Sequence, residues 1–92
     1  MSKASELNRK SRDLANIEGI DVLSESRRLF DYMAENMKKD KADKSKVIEV
    51  IAIAQIASLM LCESFKIKDE EVFDAAEEIL NKPERNHSKK ES

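Results

Sequence analysis

The chain has 92 residues, a formal net charge of −2, 39% charged residues and 40% hydrophobic ones. This is the size of one small domain with a modest core, and the charge balance gives no overall electrostatic bias toward nucleic acid. Glycine and proline occur once each, at Gly19 and Pro83. With strict apolar/polar alternation also missing, that scarcity argues against a sheet. A single cysteine, Cys62, excludes an internal disulfide and fits a reducing, cytoplasmic setting. The polar N-terminal stretch reads as lacking a signal peptide.

In chain order, Ser2 to about Asn16 reads as a weakly amphipathic helix, with Ala4, Leu7, Ser11 and Leu14 at three- and four-residue spacing. Two leucines are little to anchor it, so the first 18 residues are expected to pack loosely. Gly19 breaks the pattern. A second helix starts at Asp21 or Ser24, either of which can cap it, and carries the stripe Val22, Ser26, Leu29, Phe30, Met33 and Met37. It is expected to end in Lys38-Lys39, where cations suit the exposed carbonyls. The connector 38–46 holds five lysines and two aspartates, and reads as a solvated loop.

Asp43 or Ser45 then caps a third helix over the run VIEVIAIAQIASLMLCESF, interrupted only by Glu49, Gln55, Ser58, Glu63 and Ser64. At 100° per residue no polar face emerges, and a helix apolar all round is expected to be buried all round. A membrane span needs roughly 20 apolar residues, and Glu49 and Gln55 inside the run argue against one. Cys62 is expected to be buried as a small hydrophobe. A fourth helix starts with Asp69 as its cap, bears the stripe Val72, Phe73, Ala76, Ile79 and Leu80, and stops at Asn81 before Pro83. Phe65, Val72 and Ile79 recur every seven residues, so one unbroken helix from Ser45 to Lys82 competes with this division. Residues 83–92 are charged and expected to be disordered. The fold expected is therefore all-α: one domain over residues 1–82, a bundle of three to four helices around a central apolar helix at about 45–66.

Nothing in the sequence composes an active site. His87 is the only histidine and has no ligand cluster near it, so neither a zinc site nor a Cys62–His87 nucleophile pair can be built. No enzyme activity, metal or cofactor is expected. Glu70, Asp74, Glu77 and Glu78 share one face of the fourth helix, which reads first as a solvated face and second as a dock for a basic partner. Counting apolar groups, the third helix needs three covering helices, and the first is too poor to serve. Part of the third helix is thus expected to be covered by another chain, either a second copy or a partner protein. The candidate interaction face combines Met33, Met37, Met60 and Phe73 with Glu70, Asp74 and Glu77.

The function expected is a small, homodimeric protein-interaction module acting as regulator, inhibitor or adaptor. Two alternatives stand beside it. The succession of short, long and short helices over Ser24–Lys38, Ser45–Phe65 and Asp69–Asn81 is similar, in helix lengths alone, to the histone-type pairing fold, which would imply nucleic-acid association. By size and class the chain also fits a small immunity or anti-host protein that works by occupying a target surface.

Overall fold

The computed structural model describes residues 2–40 and 42–82. Those residues form four helices: α1 (Lys3–Ala15), α2 (Val22–Asn36), α3 (Lys44–Phe65) and α4 (Asp69–Leu80). The fold is all-α, with no strand among the described residues. Pro83, His87 and the remainder of the charged tail lie outside them.

The boundaries follow from local hydrogen bonding. The Ser2 hydroxyl accepts the Ser5 N–H at 3.1 Å and opens α1. The Asp21 carboxylate accepts the Ser24 N–H at 3.2 Å and opens α2. The Asp43 carboxylate accepts the Lys46 N–H at 2.8 Å and opens α3. Each cap satisfies a donor that the first helical turn leaves without an internal partner. Gly19, at φ +88, supplies the left-handed turn between α1 and α2.

Two helix ends differ from expectation. α2 stops at Asn36 with Met37 as its cap residue, short of Lys38-Lys39, and Lys38 instead pairs with Glu35 at 3.4 Å. At α4, Lys68 and not Asp69 is the cap residue. Its own N–H donates to the Glu71 carboxylate at 3.0 Å, which leaves Asp69 as the first helical residue.

α3 and α4 are separate helices. Lys66 turns into the left-handed region (φ 56, ψ 47), and the N–H groups of Lys66 and Ile67 both donate to the Cys62 carbonyl. This is a Schellman-type ending built without glycine. The seven-residue recurrence of Phe65, Val72 and Ile79 crosses this break and does not mark a continuous helix.

α1 and α2 both pack along α3, which is the centre of the fold. The core they enclose is small: Val22, Val50, Ala57 and Met60, together with Ser11 and Ser26. Each helix therefore contributes a small buried residue (Ser11 on α1, Ser26 on α2, Ala57 on α3), and small side chains allow backbones to approach closely. α1 lies on α3 through Ser11 and the half-buried Leu7, a contact that a count of leucines does not register. α4 adds no buried residue: every one of its residues is exposed.

Two substitutions test this description. The Ser26 hydroxyl is buried without a hydrogen-bond partner among the described residues, and such a group costs about 1–3 kcal/mol. S26A is expected to raise the unfolding free energy by about 1 kcal/mol in urea titration, and a loss of stability would contradict the packing. K66G relieves the left-handed side-chain penalty of about 1 kcal/mol. It should stabilise the end of α3, read as slower hydrogen exchange at the Ile67 amide, which donates to the Cys62 carbonyl.

Candidate functional site

The two carboxylates inside the apolar run decide how α1 and α2 sit on α3. Near the start of α3, Glu49 accepts the Tyr32 hydroxyl of α2 at 2.9 Å and the Lys46 ammonium at 3.2 Å. Near its end, Glu63 accepts the Arg12 guanidinium of α1 at 3.3 Å and the Asn16 amide at 3.0 Å. One carboxylate thus ties down each flanking helix. The hydrogen bond from Tyr32, and then the bond and charge of Lys46, hold the Glu49 carboxyl below its ordinary value. The Asn16 amide and then Arg12 do the same for Glu63. Lys46 is raised in turn by Glu49.

With α1 and α2 fixed in this way, one side of α3 stays uncovered. Ile48, Ile51, Gln55 and Ser58 follow one another at three- and four-residue spacing, and all four are exposed. Between this face and α1 runs an open groove of about 460 Å³, lined by Leu7, Val50, Ile51, Ala54, Gln55, Ser58 and Leu59. Its lining is apolar apart from Gln55 and Ser58. Only 17% of the most apolar stretch of α3 is buried, so the helix is not enclosed. By length and composition α3 could cross a bilayer, but Glu49 and Glu63 are charged anchors for helices lying along it.

α4 presents a second uncovered apolar surface. Val72, Phe73, Ile79 and Leu80 are all exposed, Phe73 by 66% and Leu80 by 74%. They share one side of the helix with Ala76, while Glu70, Asp74, Glu77 and Glu78 occupy the other. A helix of 12 residues is marginal in water. This one also carries like charges one turn apart, at Glu70–Asp74 and Asp74–Glu78, which repel.

The residues expected to form one interaction face are divided among three places. Met60 is 3% exposed and belongs to the core, so it is not surface. A helix apolar on all sides gives no indication of which side turns inward. Met33 is half-buried on α2, and Met37 is exposed at the end of that helix. Phe73, Glu70, Asp74 and Glu77 lie on α4, all exposed. Cys62 is half-buried, not sealed in the core. The residues missed were Ile51, Gln55 and Ser58 on the open face, and Glu63 as an anchor. Glu49 and Glu63 stand 14 residues apart, four turns, so they mark nearly the same side of α3; that spacing was the available signal. Among the described residues, no group of three or more histidine, cysteine or acidic side chains is placed to hold a metal ion.

The Glu63 anchor has a pH signature. Its carboxyl is lowered from 4.5 in the folded chain. The stabilisation is therefore fully present above that value and is lost as pH falls through the lowered one. E63Q is expected to show a smaller drop in melting temperature than the unmodified chain between about pH 6 and about pH 3.5. An equal drop would mean that Glu63 does not hold α1.

Comparison of the chain with family models, with curated proteins and with solved structures returns no match.

Proposed function

We propose that this protein is a non-enzymatic helical interaction module that associates with itself through the uncovered face of α3. The observation that carries the reading is the groove of about 460 Å³ between Leu7 and that face, with Ile51 at 53% exposure on its floor. Contiguous exposed apolar surface of this kind marks association sites, and closed symmetric dimers are the commonest soluble oligomers. A surface built for association suits a regulator, inhibitor or adaptor, which acts by occupying another surface. The acids of α4 weigh against the nucleic-acid alternative, since phosphate binding calls for basic side chains.

The test is solution mass by light scattering. The unmodified chain should give twice its 10.5 kDa, and I51K should give the monomer mass with unchanged helical circular dichroism. L23K, an equally exposed position at the start of α2, should leave the dimer intact. A monomer at all concentrations for the unmodified chain, or a dimer for I51K, overturns the reading.

A further inference from the structure

We infer that the occupant of the α3 groove is α4 of a second copy, exchanged reciprocally so that each chain fills the other's groove. The inference rests on the self-association proposed above and adds which segment makes the contact.

Four observations converge on it. The first is that both uncovered apolar surfaces belong to the same chain, so two copies contain two grooves and two helices to fill them. A contact between unlike surfaces closes when it is made twice about a two-fold axis, and no apolar surface then remains to propagate it.

The second is fit. α4 has 12 residues, about 18 Å of helix, and the groove floor from Val50 to Leu59 runs about 14 Å along α3. The stripe of Val72, Ala76 and Ile79, flanked by Phe73 and Leu80, presents the apolar surface that the groove lacks.

Charge is the third. α4 bears six acidic residues and no basic one. The groove wall is α1, where Lys3 and Lys10 lie one turn to either side of Leu7, Lys10 within 3.9 Å of Glu6, while Arg9 and Arg12 are already paired with Glu6, Asp13 and Glu63. Lys44 begins the open face of α3, one turn before Ile48. When the apolar side of α4 enters the groove, Glu70, Asp74 and Glu78 point away from it, and Asp69 and Glu77, at the margins of the stripe, are the acids that meet the lysines of the rim.

The fourth is the linker. Residues 66–68 are hydrogen-bonded at both ends, Ile67 N–H to the Cys62 carbonyl at 2.9 Å and Lys68 N–H to the Glu71 carboxylate at 3.0 Å. These bonds fix the turn after α3, and no residue of α4 beyond it is buried. Its stripe is thus exposed in the single chain.

The experiment is a pair of variants and their mixture. V72K/I79K alters side chains that are exposed in the single chain, so the fold of α1–α3 is preserved. The mass should fall from dimer to monomer at a concentration where the unmodified chain is dimeric. If V72K/I79K stays dimeric while I51K dissociates, the α3 face associates without α4: the exchange is overturned and the self-association stands. If the unmodified chain is monomeric, both are overturned. Mixing I51K, which retains its α4, with V72K/I79K, which retains its groove, should produce a heterodimer from two monomeric proteins, because one unaltered α4–groove contact is restored. Failure to form it on mixing at high concentration overturns the exchange, since α3-to-α3 and α4-to-α4 contacts cannot be rescued this way.

Discussion

Two helices cannot enclose a third that is apolar on every side. α3 has 22 residues and no polar face, yet only α1 and α2 lie on it, and four hydrophobic side chains make up the buried core. A fully buried aliphatic side chain contributes about 1.5–3 kcal/mol, so a core this small leaves the single chain with little margin. Much of the apolar surface that would stabilise the fold remains in water, on the open side of α3 and along α4. Two features of the molecule follow from that shortfall: the groove and the exposed fourth helix.

Which side of α3 stays open is decided by polar contacts. Glu49 and Glu63 sit in the apolar run at its two ends: Glu49 accepts one hydrogen bond from Tyr32 of α2 and one from Lys46 of α3 itself, and Glu63 accepts two from Arg12 and Asn16 at the end of α1. Charged groups are costly in an apolar setting unless paired, and here each carboxylate is both paired and partly in contact with water. Packing of apolar side chains alone would let α1 and α2 settle at many angles around a helix without a polar face. The carboxylates restrict them to one arrangement, and the face of Ile48, Ile51, Gln55 and Ser58 is what that arrangement leaves over.

The helices themselves were legible because capping is local. Ser2, Asp21 and Asp43 are short polar side chains directly before helical segments, and each accepts the hydrogen bond that its position suggests. The break at Lys66 was harder to read, since a left-handed residue is usually marked by glycine and here is a lysine. The assignment of covers to α3 came out reversed for α1 and α4. α1 packs through Ser11, a small polar residue that adds nothing to a count of apolar groups, whereas the richer stripe of α4 stays exposed. Met60 was placed on the outside because a helix without amphipathic phase does not reveal which side faces inward; that is settled only once Glu49 and Glu63 have fixed the neighbours. The candidate site was therefore legible as a shortage of cover and not as a list of residues.

The most direct measurement of the central claim, that α4 is covered by another chain, is amide hydrogen exchange in α4 as a function of protein concentration. A helix docked in a second chain's groove exchanges slowly when the protein is concentrated and loses that protection on dilution, while the core amides of α3 around Ala57 change less. Fast exchange throughout Val72–Leu80 at every concentration would contradict the account, because α4 would then be exposed in solution as it is in the single chain.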